Sequence, residues 1–300
     1  MSMPNFLIIG AMKAGTTSLY HYLGQHPQIY MSPVKEPQFF AFADEELDFH
    51  GPGDWRIKEQ VVTDIESYRK LFQSASRETA VGEASTVYLY SSRACERIHS
   101  SLPDAKLIAI LRDPVERAHS NFVQALFSYR EPYDDFLRAF LEEDERIQKK
   151  WLYFWHYKQL GFYASQLKLY FEKFDRRQLK IYLYDDWKSD NLTVLQDIYR
   201  FLNVDERFVP DLSLRYKDFR VPRSRKLHRF LLRPHPLKSA LKPLFPENCR
   251  RRIIEAIVNR NLYKPQLNPH VRRHLIDVYR EDIMELQDLI GRDLSAWLEV

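Results

Sequence analysis

Cysteine is scarce in this chain, and long apolar runs are missing. The 300 residues contain two cysteines, Cys95 and Cys249, which leaves no material for a disulfide scaffold or a cysteine-rich zinc site. No apolar stretch approaches the roughly 20 residues that a helix needs to cross a bilayer. The opening MSMPN runs directly into an apolar segment, without the charged and apolar regions of a secretory signal, so a soluble, cytoplasmic protein is the expectation. Internal repeats and low-complexity linkers are also lacking. A disordered chain is excluded by what is present: 45% hydrophobic and 14% aromatic residues are enough for a sizeable core. The length suits one α/β domain or two small ones, and a single domain over 1–300 is the reading adopted. Its core is placed at 5–205, a basic segment at about 216–235 and a helical C-terminal part at about 248–300.

The net charge of +4 is small but uneven. Residues 220–233, RVPRSRKLHRFLLR, carry Arg220, Arg223, Arg225, Lys226, Arg229 and Arg233 with no acid. A local patch of this kind suits an anionic ligand or surface, not general nucleic-acid binding.

The organising stretch is NFLIIGAMKAGTTSLY, residues 5–20. Phe6 to Gly10 reads as a short buried strand. A loop bracketed by Gly10 and Gly15 follows, and then a hydroxyl-rich helix start, Thr16-Thr17-Ser18. Strand, glycine-bracketed loop and helix N-terminus together make a phosphate cradle, because loop N–H groups and the positive end of the helix dipole converge on one anion. The alternative is a strand–helix turn whose glycines serve packing alone. The loop departs from the Walker A pattern, in which a lysine follows the second glycine. Here Thr16 holds that position and the lysine is Lys13, inside the loop. No clear acidic magnesium ligand follows downstream, which counts against kinase or ATPase chemistry.

Further along, VKEP at 34–37 sets Lys35 and Glu36 between Pro33 and Pro37, ahead of Phe39, Phe40 and Phe42. This predicts a fixed loop anchored by aromatics, carrying either a catalytic acid–base pair or a plain solvated ion pair. Residues 48–78 read as helix-rich, with Trp55, Tyr68, Leu71 and Phe72 as core candidates. Strands are predicted to begin at Thr79, at Lys106 and at Leu179. Glu83 and Ser85 follow the end of the strand that starts at Thr79, where ligands of parallel sheets collect. Arg112 closes the strand KLIAILR, Pro114 opens the next helix, and Ser120 lies eight residues beyond Arg112. An arginine fork and a hydroxyl so spaced could share a phosphate, or Arg112 could simply pair with Asp113 or Glu116. Residues 133–175 read as helical. Trp151, Tyr153, Trp155 and Tyr157 there are candidates for a sugar-binding belt or, more commonly, for core, and His156 among them reads as structural. Short apolar strands alternating with helices imply an α/β fold with a parallel sheet covered on both faces.

Taken together, these motifs resemble the sulfotransferases that use 3′-phosphoadenosine 5′-phosphosulfate (PAPS). GAMKAGTTSLY resembles their 5′-phosphosulfate loop, and LRDPVERAHSNF their 3′-phosphate motif. KEPQFF is similar to the catalytic loop of the heparan-sulfate-type branch, and YDDWKSDNLTVLQDIYRFLNVD to the late strand–helix unit. The resemblance covers about residues 5–205. It implies a P-loop-type parallel β-sheet flanked by helices, with a helical C-terminal region. It also implies sulfuryl transfer to a carbohydrate, lipid-headgroup or small-molecule acceptor by in-line displacement, with no metal and with adenosine 3′,5′-bisphosphate as product. Cofactor contacts would come from Lys13, Ala14, Gly15, Thr16, Thr17, Ser18, Arg112 and Ser120. Catalysis would fall to Glu36 as base and Lys13 at the leaving phosphate.

Two departures bear on the acceptor. N-sulfating members carry a histidine four residues after the serine, and here that position is Gln124. The disulfide-bounded closing loop of the heparan-type enzymes has no cysteine pair to form it. RVPRSRK at 220–226 is the expected substitute, with Tyr216, Arg220, Arg223 and Ser224 as further cofactor contacts, the alternative being a plain solvated basic face. Both departures suggest a bacterial-type relative. From the residues alone two other classes stay open: a P-loop nucleotide-dependent phosphotransferase, and a peripheral module whose basic stretch LHRFLLRPHPLKSALKPLF meets an anionic membrane surface.

Overall fold

The computed structural model describes residues 3–213, 221–222, 224, 260–263 and 265–300. Tyr216, Arg220, Arg223 and most of the basic segment lie outside the described residues. Helices and strands alternate in the order β1 (Phe6–Gly10), α1 (Thr16–Leu23), β2 (Ile29–Met31), α2 (Phe39–Phe42), α3 (Ile65–Lys70), β3 (Ala80–Ala84), α4 (Ser92–Ser101), β4 (Lys106–Leu111) and α5 (Pro114–Phe127). The chain continues through α6 (Phe136–Leu141), α7 (Glu143–Gln148), α8 (Tyr163–Lys173), β5 (Leu179–Leu183), α9 (Tyr184–Ser189) and α10 (Asn191–Leu202). The short strands β6 (Val221–Pro222) and β7 (Leu262–Tyr263) and the long helix α11 (Pro269–Ile290) follow.

The sheet order is β2-β3-β1-β4-β5, and every neighbouring pair is parallel. β1 pairs with β3 on one side (Phe6 opposite Gly82) and with β4 on the other (Phe6 opposite Lys106). All five residues of β1 and all five of β3 are buried, the mark of strands covered on both faces. Each Leu, Ile or Phe so enclosed contributes about 1.5–3 kcal/mol of burial. The chain runs outward from β1 to one side through α1 and β2, then to the other through β4 and β5. The crevice outside the carboxyl ends of β1, β3 and β4 is therefore the switch point at which such sheets bind ligands.

The edge strand β2 (Ile29–Met31), just ahead of the VKEP loop, was not among the strands expected. Three residues are too short for a period-2 signal, and Ile29 to Met31 pair with Ala80 to Gly82 in a fixed register. The aromatics Phe39, Phe40 and Phe42 are buried, as the loop anchor required. Trp55, by contrast, is 60% exposed and not core. The 3₁₀ turn Asp54–Glu59 instead points Asp54 and Ile57 inward, in keeping with its three-residue period. Buried Asp54 accepts from the Gly51 and Leu152 N–H groups at 3.0 and 2.8 Å, from Trp155 Nε1 at 2.9 Å, and from Arg130 at 2.8 Å.

Residues 133–175 are less helical than expected, since 151–162 hold only two 3₁₀ turns. Tyr153, Trp155 and Tyr157 are buried. Trp151, Trp155 and Tyr157 crowd the Arg146 guanidinium, which is paired with Glu131 at 2.7 Å. These rings are core, not a sugar belt. His156 lies among them, buried between the Tyr90 hydroxyl and the Trp151 carbonyl.

Sheet spacing at β1–β3 leaves no room beside Phe6. A Cβ at Gly82 would come within 2.4 Å of two atoms of the fully buried Phe6 ring. Gly82→Ala should therefore cost about 1–3 kcal/mol, read as a lower urea midpoint with an unchanged slope.

Candidate functional site

Four segments leave the carboxyl edge of the sheet and converge there. The first is the turn after β1. The Ala11 N–H donates to the Ile110 carbonyl at 2.7 Å, which keeps the turn beside β4, and the Ala14 N–H closes back on the Ala11 carbonyl at 3.2 Å. Lys13 and Gly15 both have positive φ, 70° and 91°. That backbone costs a side-chain-bearing residue about 1–2 kcal/mol and is free for glycine. Gly15 is also the N-cap of α1 and, having no side chain, supplies no acceptor to the leading N–H groups. Thr16 is buried, while Thr17 and Ser18 are half-buried on the first turn. Trp187 of α9 covers the turn so closely that a Cβ at Gly15 would sit 3.0 Å from its indole.

The second segment runs from β4 into α5. Asp113 caps α5, accepting from the Val115 and Glu116 N–H groups at 2.8 and 3.2 Å, with Pro114 in the first turn. Arg112 is thereby fixed at the strand end. Its Nη1 donates to the Lys13 carbonyl at 3.2 Å and its Nη2 to Glu116 Oε2 at 3.3 Å. Its guanidinium lies 4.8 Å from the centre of the Tyr184 ring. The pairing of Arg112 with Glu116 that the sequence left open is thus present. In α5, Glu116, Ser120 and Gln124 are the partly exposed positions of an otherwise buried stretch. Their four-residue spacing forms one stripe along the helix. Gln124 Oε1 accepts from Lys13 Nζ at 3.0 Å, joining the stripe to the loop.

The third and fourth segments carry the two carboxylates. Glu36 has φ 62°, and Gln38 just beyond it has φ 58°. The Glu36 N–H donates to the Ala84 carbonyl at 2.9 Å, so its loop is stitched to the end of β3. The Glu36 carboxylate accepts from the Thr86 N–H at 2.8 Å, the Thr86 hydroxyl at 3.0 Å and Lys35 Nζ at 2.8 Å, and its side chain is 25% exposed. Glu83 is fully buried. It accepts from Ser85 at 2.8 Å and from Tyr68 at 3.3 Å. Burial pushes its carboxyl up to about 7, with the nearby Glu36 charge adding to the rise, while bonds from Tyr88, Ser85 and Tyr68 hold it back. Three non-glycine residues with positive φ, Lys13, Glu36 and Gln38, lie on the two loops that frame this edge, and strained backbone of this kind is frequent at functional sites.

The structure therefore brings Lys13, Gly15, Thr16, Thr17, Ser18 and Arg112 to one edge, with Glu36 on the neighbouring loop. Ala14 is wholly buried and its N–H is committed to the turn. Ser224 is exposed, and its backbone exchanges two hydrogen bonds with buried Asn261, at 3.0 and 3.1 Å. β6, which precedes Ser224, lies against α5. Sequence reasoning missed Tyr184, Trp187 and Thr86. Tyr184 and Trp187 come from the end of β5 and Thr86 from the end of β3, far from their partners in sequence, so no spacing along the chain could reveal them.

A parallel sheet whose first strand ends in a glycine-capped helix start places the chain among the P-loop-type α/β proteins. The model of the Sulfotransferase family matches residues 4–209, and the chain belongs to that family. A crystal structure of a sulfotransferase from Alicyclobacillus acidocaldarius superposes with a TM-score of 0.79 at 32% identity, over 100% of both chains. Human bifunctional heparan sulfate N-deacetylase/N-sulfotransferase 3 is 32% identical over 213 residues, which is 67% of this chain and 22% of that protein. The membrane-associated sulfotransferase kil1 of Dictyostelium discoideum is 35% identical over 125 residues, 41% of this chain and 23% of that protein. The chain thus spans less than a quarter of the length of these two relatives. Among the described residues, no helix is long and apolar enough to cross a membrane.

Glu83 makes stability depend on pH. Between pH 4.5 and about 7 the folded chain retains a proton there that the unfolded chain has released, so its contribution to stability falls as pH rises through that window. A shift of this size corresponds to roughly 3 kcal/mol. Glu83→Gln should gain stability relative to the wild type by up to that amount between pH 5 and 8. Parallel unfolding curves at every pH would contradict the assignment.

Proposed function

We propose that the chain transfers the sulfuryl group of PAPS to a hydroxyl or amine of a carbohydrate acceptor. The observation that carries this reading is the Arg112 guanidinium bound to the Lys13 carbonyl, which ties the two anion-binding elements of one edge to each other. The residues fit the cofactor. The glycine-capped start of α1, with Thr16, Thr17 and Ser18, suits the 5′-phosphosulfate. Arg112, with Ser120 two turns along α5, suits a 3′-phosphate. Tyr184 lies against the Arg112 guanidinium and Trp187 against Gly15, which puts an aromatic ring at each. The carbohydrate class is supported by curated relatives that include carbohydrate sulfotransferase 15 of human, 26% identical over 250 residues. Lipid headgroups and small molecules are the competing acceptors.

PAPS supplies, when bound, an activated sulfuryl group on a phosphate leaving group. Lys13 is the cation that offsets charge gathering on the leaving oxygen, and Gln124 holds its ammonium in place. The N–H groups of Thr16 and Thr17 add preorganised dipoles. Glu36 takes the proton from the attacking acceptor. It is partly exposed and braced by Thr86, whereas Glu83 is sealed behind Ser85 and Tyr68. Burial that favours the neutral form of Glu83 also spares Glu36 a second full negative charge nearby.

Calorimetry tests the cofactor. Adenosine 3′,5′-bisphosphate should bind about ten- to a hundredfold tighter than adenosine 5′-monophosphate, the worth of a charge-assisted contact to the 3′-phosphate. Equal affinities would sink the reading. Transfer of sulfur label from PAPS to a panel of oligosaccharides, lipids and small alcohols tests the acceptor. In that assay Glu36→Gln should keep bisphosphate affinity and lose turnover by about 10²–10⁴. Normal turnover in Glu36→Gln beside a dead Glu83→Gln would move the base to Glu83.

A further inference from the structure

Four charged side chains form a row at the start of α5. Arg112 Nη2 is 3.3 Å from Glu116 Oε2, Glu116 Oε1 is 3.8 Å from Arg272 Nη1, and Arg272 Nη2 is 2.8 Å from Asp113 Oδ2. Arg272 belongs to α11, beyond the 4–209 segment that the family match covers. Its Nε also donates to the Glu299 backbone carbonyl at 2.8 Å, so the C-terminal end of the chain fixes its position. We propose that Arg272 is a positioning residue for the 3′-phosphate: it receives Glu116 when that carboxylate gives up Arg112 to the incoming phosphate. The proposal rests on the cofactor reading above and adds a contribution from the C-terminal helix.

Arg112 already has an anionic partner, Glu116, and a phosphate dianion at the same fork would meet it as a like charge. Glu116 is 43% exposed and can swing, whereas Arg272 and Asp113 are 16% and 10% exposed and cannot move far. Asp113 spends its other oxygen on the Val115 and Glu116 N–H groups, so the Asp113–Arg272 pair is a rigid receiving site beside Glu116. The lone contact between Arg272 and Glu116 is the longest in the row, which leaves room for it to tighten when Glu116 lets go of Arg112. A mere clamp between α5 and α11 would also explain the Asp113 pair, but it does not require the second contact to Glu116.

The two roles separate in a double-mutant cycle on the full chain, using calorimetry with adenosine 3′,5′-bisphosphate and adenosine 5′-monophosphate. Arg272→Gln should lower the preference for the bisphosphate roughly five- to tenfold, with the monophosphate nearly unaffected. Adding Glu116→Gln, which removes the competing charge, should restore the preference. Glu116→Gln alone should raise it, and this arm decides the matter if Arg272→Gln fails to fold. Equal weakening of both nucleotides in Arg272→Gln, a double variant that stays weak, or an unchanged preference in Glu116→Gln would overturn the proposal. A wild type without any preference for the bisphosphate would overturn the cofactor reading itself.

Discussion

The hydrogen bond from Arg112 to the Lys13 carbonyl is where the two halves of this molecule meet at the site. It exists because β1 and β4 are neighbours in the sheet, β1 ending opposite Ala109 while β4 runs on to Leu111, beside the turn after β1. β1 delivers a turn that must pass through left-handed backbone at Lys13 and Gly15. β4 delivers an arginine whose direction is set by the Asp113 cap and Pro114 immediately after it. Joined, they form one charged floor, roofed by Tyr184 and Trp187 from the end of β5. Sheet order thus controls site geometry: each strand end brings one component, and the buried hydrophobic strands hold those ends in register.

The same edge separates its two acids by environment. Glu83 is on β3 itself, inside the core, among Tyr68, Tyr88 and Ser85. Glu36 is on the adjoining loop, stitched to β3 through the Ala84 carbonyl and to Thr86 through its carboxylate. Burial drives one carboxyl toward neutrality while its neighbour keeps access to the crevice, the kind of separation that lets paired acids take different roles. The buried member braces the loop through Ser85, whose hydroxyl accepts from the Gln38 N–H at 2.9 Å while donating to Glu83. The proposed base is therefore positioned by a network that never reaches solvent.

Much of this was legible in the amino-acid sequence, for identifiable reasons. FLIIG and KLIAIL are near-continuous apolar runs, and both are strands with buried cores. The hydroxyl run after Gly15 and the Asp-Pro after Arg112 carry local signals, and both start helices where expected. What was not legible depends on chain segments far apart. Tyr184 and Trp187 reach the turn after β1 only through sheet order, and Thr86 reaches Glu36 only through the β3 edge. Trp55 misled because an aromatic was read as core, whereas the 3₁₀ turn gave the interior position to Asp54. The family resemblance put the expected base at Glu36, but nothing in KEP foretold its left-handed backbone.

The central claim is that one nucleotide with two phosphates bridges the start of α1 and the start of α5. The most direct test is a crystal structure of the full chain grown with adenosine 3′,5′-bisphosphate. The account predicts the 5′-phosphate on the N–H groups of Thr16 and Thr17, and the 3′-phosphate on Arg112 and Ser120, with the adenosine between. A nucleotide bound elsewhere, or one whose 3′-phosphate points away from Arg112, would contradict it.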